Sequence, residues 1–259
     1  MKKSTRVGLI GTTVLAAGVF LGNIVYSPSF YLAQNFECLR NRYVQKVLRE
    51  EVGKLPEYLT SAEYVDSAEE RRFKNKHGLG ELTLMFTFAG RQDPEDIGKR
   101  KIKSTVYIFP GAFVDEDLIQ TEEDFRGVLV DHEKAHAEHY FDGFPSIKWD
   151  PQNRDMDPKA FEMINELSAL REEIKGFDRR KVSRNRAVIT TTRYMTYYSS
   201  LWDPEMENYI IPEGIEKLKV LFFEDWIRRS NVFVQKGDGN YIVNPKNGEK
   251  LKLPDSLNH

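Results

Sequence analysis

An uncharged stretch runs from Val7 to Tyr26, "VGLIGTTVLAAGVFLGNIVY", behind Lys2, Lys3 and Arg6. As a helix it is about long enough to cross the roughly 30 Å hydrocarbon core of a bilayer. The segment that follows, "GNIVYSPSF", offers only a poor small-x-small cleavage site, so the pattern predicts an uncleaved anchor rather than a signal peptide. The basic N-terminus places residues 1–6 in the cytoplasm and the rest of the chain outside it, against an opposing bias from Arg40, Arg42 and Lys46. Gly18 and Gly22 form a GxxxG pair, with Gly11 seven residues before Gly18. Such a face lets two spanning helices approach and offers a contact for a homodimer, although small residues are also ordinary in spanning helices.

Beyond the anchor, Leu32, Phe36, Leu39, Tyr43, Val47 and Val52 recur at near-helical intervals and predict one amphipathic helix within Tyr31–Leu55. Residues 56–77 are polar, with helical potential over Ser61–Phe73. Two stretches rich in β-branched and aromatic residues, Gly80–Gly90 and Lys101–Pro110, read as strands joined antiparallel by a charged loop. Thr121 with Asp124 three residues later forms a capping-box variant ahead of Phe125, Val128 and Leu129, so a helix starts there. Further helices are predicted over Ala160–Ile174, Val182–Leu201 and Glu213–Ser230, and a hairpin around a Gly-Asp-Gly turn within Asn231–Asn244.

The sum is an α+β chain with a small antiparallel sheet. Residues 1–6 are cytoplasmic, 7–26 span the membrane, 27–79 connect, 80–230 form the main domain, and 231–259 make a C-terminal hairpin and tail. The 259 residues carry 38 basic and 40 acidic side chains, a net charge of -2, which excludes the basic excess that nucleic-acid binding needs. Cys38 is the only cysteine, so neither an internal disulfide nor a cysteine-based zinc cluster is available.

Candidate chemistry concentrates in Val130–Gly143, "VDHEKAHAEHYFDG". His132 and His136 are four apart on the predicted helix, so their rings leave one face and converge on one ion. Glu133 lies about 100° round the helix, placed to act on water without being a ligand. This is the H-E-x-x-H pattern, and a catalytic zinc site needs a third protein ligand. His139 is poorly placed for that role, because seven residues put its Cα about 10 Å from that of His132, whereas two zinc-bound nitrogens lie only about 3 to 3.5 Å apart. Asp142 is a second candidate. His132, His136 and Asp142 resemble the metzincin-type H-E-x-x-H-x-x-G-x-x-(H/D) motif, but His139 stands where that motif has its turning glycine.

Glu166, thirty residues after His136 and on its own helix, is the third candidate and the one favoured. Ile164-Asn165-Glu166-Leu167-Ser168-Ala169 resembles the Asn-Glu-x-x-(Ser/Ala) helix of the gluzincins, the thermolysin-like zinc metallopeptidases. The resemblance covers the two helices from about Thr121 to Ile174. It implies a zincin-like domain with a two-helix metal site, Zn2+ held by His132, His136 and Glu166, and Glu133 as the base. It departs from the family at Leu170, where thermolysin-like enzymes carry an aspartate that orients a ligand histidine, so that partner must come from elsewhere. Glu162, one turn before Glu166, is an alternative ligand or orienting group.

Joined to the anchor predicted from the N-terminal pattern, the resemblance implies a membrane-anchored peptidase acting on peptide or protein substrates from outside the cytoplasm. An oxyanion donor is expected, with Tyr194, Tyr197 and Tyr198 as candidates that serve equally as packing residues. A second reading is a membrane-tethered binding or assembly protein that keeps an inert zincin-like fold.

Overall fold

Three short segments with buried positions on one face build the sheet that sets the position of the H-E-x-x-H helix. In the computed structural model, which describes residues 27–89, 101–115, 117–143, 158–210, 212–223, 233–237, 239–243 and 250–252, the strands β1 (Leu59–Tyr64), β2 (Met85–Phe88) and β3 (Ser104–Ile108) lie in the order β1-β3-β2. β2 and β3 are antiparallel, with Met85 opposite Ile108 and Phe88 opposite Thr105, as their pattern predicts.

β1 was not expected as a strand, and it runs parallel to β3, so the sheet is mixed rather than antiparallel. Its pattern is weak because only Leu59 and Ala62 are buried along it, and a register irregularity falls between Leu59 and Ser61. Tertiary pairing therefore overrides the local polarity. The helical potential beyond it is realised only in α3 (Glu70–His77), which ends at the left-handed Gly78.

The predicted single helix after the anchor is two, α1 (Pro28–Asn35) and α2 (Arg40–Glu51), joined by a 3-10 turn at Glu37–Leu39. Phe36 is extended at the break. There the Arg40 guanidinium donates to Ala33 O at 3.0 Å and Gln34 O at 3.2 Å, capping the last carbonyls of α1. Gly111–Val114 (α4) is one helical turn after β3.

The motif helix, α5, has an α-helical start at Glu122–Arg126, a π-helical stretch at Gly127–Glu133 and an α-helical end at Lys134–Asp142. Its capping box forms as expected, with Thr121 Oγ1 accepting from Asp124 N at 3.1 Å and Asp124 Oδ2 accepting from Thr121 N at 3.0 Å. The π stretch was not legible in the sequence. Such wide turns inside helices are frequent at functional sites.

Two cores lie on either side of the motif. One joins Phe30, Tyr43 and Val47 to Val106, Ile108 and Phe113, and to Phe125, Val128 and Leu129 of α5. Helices α1 and α2 thus pack into the same core as the sheet. The other joins Phe161, Ile164, Leu167 and Leu170 of α6 (Pro158–Arg180) to Tyr194 and Tyr198 of α7 (Arg184–Ser200), and to Leu218 of α8 (Pro212–Leu221). Helices α5 and α6 meet at the seam between these cores. Gly176 permits their close approach, because a Cβ there would lie 2.4 Å from Asp131 Oδ2.

A second, antiparallel sheet contains β4 (Phe233–Lys236), β5 (Gly239–Val243) and β6 (Lys250–Lys252). Its first two strands are the expected hairpin. The architecture is α+β and mostly helical. The expected span at residues 7–26 lies outside the described residues, and no helix among the described residues is long and apolar enough to cross a membrane.

Candidate metal centre

The π stretch ends at Glu133, so His132 and Glu133 leave a wide turn while His136 leaves the first turn of regular α-helix. The two histidine rings stand almost perpendicular, with Nε2 atoms 3.2 Å apart, and both are buried. From α6, Glu166 Oε1 lies 3.5 Å from His136 Nε2 and Glu166 Oε2 lies 3.9 Å from His132 Nε2. One donor atom from each residue falls within 4.8 Å of the others. Tetrahedral zinc with bonds of about 2.0–2.2 Å separates its ligand atoms by roughly 3.3 Å, so these donors stand close to ligating distance. Two imidazole nitrogens and one carboxylate oxygen suit a divalent first-row metal and leave coordination positions open. A cleft of ≈ 570 Å³ opens onto them, lined also by Thr87, Tyr140, Glu162 and Arg193.

The other candidates do not join this group. Helix α5 continues through Asp142 and turns only at Gly143, which has positive φ, so no turn at His139 swings Asp142 back. Asp142 instead pairs with Lys101. His139 is buried and its Nδ1 lies 2.7 Å from Asn165 Oδ1, linking α5 to α6. Burial drives its pKa down to about 3, the Asn165 contact opposing this only in part, so the ring is neutral. Glu162 is exposed at the cleft rim.

Glu173 stands where an orienting partner for His132 is expected. Its Oε2 lies 3.3 Å from His132 Nδ1, off the ideal donor direction of the ring, so the contact is electrostatic more than an aligned hydrogen bond. Glu173 is 1 % exposed and is held by Arg186 Nε at 2.6 Å, Arg186 Nη2 at 2.9 Å and Thr190 Oγ1 at 2.8 Å. Burial is the largest influence and works to raise its pKa, but Arg186 and His132 together outweigh it and hold the carboxyl well below the usual range. Leu170, at the position the family pattern would use, is fully buried in the core. Glu173 follows Glu166 by seven residues, two turns along one face, and that spacing is the signal that marks it in the sequence. Its partners Arg186 and Thr190 are four apart on α7, a pattern with no distinguishing chemistry in isolation. His136 has no equivalent: its Nδ1 is buried without a hydrogen-bond partner among the described residues.

Glu133 is buried beside the ligands, and its Oε2 accepts from the Thr87 hydroxyl at 2.7 Å. The same hydroxyl lies 2.9 Å from Glu133 O, so β2 fixes both the backbone and the carboxylate of this residue. On the opposite wall Arg193 Nη2 donates to Glu166 Oε2 at 3.2 Å. Tyr194 and Tyr198 turn away, donating to Phe222 O and Lys219 O, and belong to the core.

Burial lowers the His136 pKa, but the hydrogen bond and charge of Glu166 outweigh it and push the ring up to about 9. For Glu166 burial is the largest influence and acts upward, but the bond to His136 and the charges of His136, His132 and Arg193 together prevail and hold the carboxyl far below its ordinary range. The two side chains are thus an ion pair without metal. A cation entering the site displaces a proton from His136, which ties affinity to pH. Compared with known proteins, the chain matches no family model, no curated protein and no solved structure, so the reading of this centre rests on its own geometry.

Proposed function

We propose that this chain is a zinc-dependent peptidase of gluzincin type, held at a membrane by residues 7–26 with its cleft outside the cytoplasm. The observation that carries the reading is the convergence of His132, His136 and Glu166 from two helices, with Glu133 buried beside them. Zinc bound there supplies Lewis-acid polarisation of a carbonyl and lowers the pKa of a coordinated water.

The chain's own residues do the rest. Glu133, steadied by Thr87, accepts the proton of the attacking water and returns it to the leaving amine. Glu173, fixed by Arg186 and Thr190, holds His132 in place through its charge. β2 is an edge strand, and residues 82–87 line the cleft, so an extended peptide can add to the sheet there by backbone hydrogen bonds.

Two variants test this reading. Purified wild type is expected to carry about one zinc per chain, and His132→Ala to lose it, since a catalytic site needs three protein ligands. Glu133→Gln is expected to keep the metal while cleavage of an unfolded protein substrate falls by about 10²–10⁴-fold. A wild type without zinc contradicts the peptidase assignment, and undiminished cleavage by Glu133→Gln removes that residue as the base.

A further inference from the structure

Hydrolysis of a peptide bond places negative charge on the carbonyl oxygen, and a donor that meets that charge is worth more than one that meets the neutral substrate. Four tyrosines on α5 and α7 are candidates for such a donor. Tyr194 and Tyr198 donate into the core. Tyr140 lines the cleft near Asn165 with its ring packed on Phe161, and Tyr197 lies beside Arg193; neither hydroxyl hydrogen-bonds a side chain of the candidate metal group among the described residues. Two arginines line the same cleft. Arg186 is 3 % exposed, and its Nε and Nη2 grip Glu173. The Arg193 side chain is 45 % exposed, and its Nη2 hydrogen-bonds Glu166 Oε2, an oxygen of the proposed ligand.

We propose that Arg193 stabilises the oxyanion of the scissile carbonyl, a role that rests on the peptidase reading above. A donor bonded to the carboxylate of the proposed ligand lies next to the candidate metal position, within reach of a carbonyl that would be polarised there. Its five N–H groups leave capacity for a substrate oxygen after Glu166 is served. In the step itself the water oxygen forms a bond to the carbonyl carbon, the π pair moves to the carbonyl oxygen, and the water proton goes to Glu133. Arg193 transfers no proton; its hydrogen bonds to the oxygen shorten as charge grows. The same guanidinium is also suited to gripping the free carboxylate of a substrate C-terminus, a different role that the test separates.

The test compares zinc-loaded wild type, Arg193→Ala and Arg193→Lys, using two peptide inhibitors with the same side chains. One carries a phosphinate, which mimics the tetrahedral oxyanion, and the other a hydroxamate, which does not. Arg193→Ala is expected to weaken the phosphinate by about 10²–10³-fold, the effect of losing one oxyanion donor. The hydroxamate should bind nearly as before, and Arg193→Lys should recover part of the loss. Turnover should fall by the same factor on peptides with a free or an amidated C-terminus. Equal weakening of both inhibitors, or of neither, overturns the role, as does a loss confined to free-acid peptides, which would make Arg193 a carboxylate anchor. Because the side chain is exposed, the variants should fold, and zinc content and melting temperature report it. A wild type that binds no zinc overturns the peptidase reading and this role together. A zinc-loaded wild type with an unchanged inhibitor ratio in Arg193→Ala overturns this role alone.

Discussion

Helices α5 and α6 meet on two faces, and the two are built to opposite rules. On the back, charges are matched: Asp131 pairs with Arg179 and Arg180, Arg180 also reaches Glu51, and Arg126 binds Glu50, Glu51 and Glu122. On the cleft face, two buried histidines point the same nitrogen at each other and at one carboxylate, and His136 Nδ1 is buried without a hydrogen-bond partner among the described residues. A fold selected for stability alone has no use for that front arrangement. A back face with satisfied ion pairs can hold it in place, because the same two helices carry both.

The comparison breaks if back-face changes act on metal and front-face changes do not. The largest stability effect is expected at Arg180, whose side chain is nearly buried between Asp131 and Glu51. Arg180→Ala removes one of the two arginines held by Asp131 and by Glu51, which keep Arg179 and Arg126, and should cost about 2–3 kcal/mol of unfolding free energy, measured by denaturant titration. Zinc affinity of the fraction that remains folded should change little by comparison.

Glu173 is on the front, and Glu173→Gln should lower zinc affinity by about 10–100-fold in a competition titration with a chelator. It should also alter the pH dependence of stability. A carboxyl held below its ordinary pKa stabilises the fold above the unfolded value of about 4.3, and that contribution is lost as pH falls below it. Wild type should therefore lose stability on acidification, and Glu173→Gln should lose less over the same interval. An identical acid profile for the two proteins would remove Glu173 as the ionised partner.

Gly176 gives the smallest of these effects and sharpens the contrast. Alanine gains about 1 kcal/mol of helix propensity, but its Cβ meets Asp131, and overpacking of this kind costs about 1–3 kcal/mol. A net destabilisation of about 1 kcal/mol is expected from thermal melts, and a stabilised Gly176→Ala would mean that the helices do not approach closely there.

What was legible in the sequence follows the same division. The convergence of His132, His136 and Glu166 was readable because the H-E-x-x-H spacing puts two histidines on one face and the Asn165-Glu166 stretch resembles a gluzincin helix. The Thr121–Asp124 box and the β2–β3 pair were readable because their signals are local. Glu173 was missed although its seven-residue spacing from Glu166 was available, since only the fold shows that this face meets His132. Thr87, Arg186 and Arg193 carry no signal of their own. Arg126 and Glu50 are 76 residues apart, and Arg180 and Glu51 are 129 apart, so no window of sequence contains the back-face brace. β1 was hidden because its partner strand, rather than its own pattern, makes it a strand.

The central claim is that the third donor comes from the second helix. Zinc affinity measured side by side for wild type, Glu166→Ala and Asp142→Ala tests it most directly. A loss of at least about 10²-fold is expected in Glu166→Ala, more than removal of an outer-shell partner costs, with wild-type affinity in Asp142→Ala. Retained affinity in Glu166→Ala, with loss in Asp142→Ala, would contradict it.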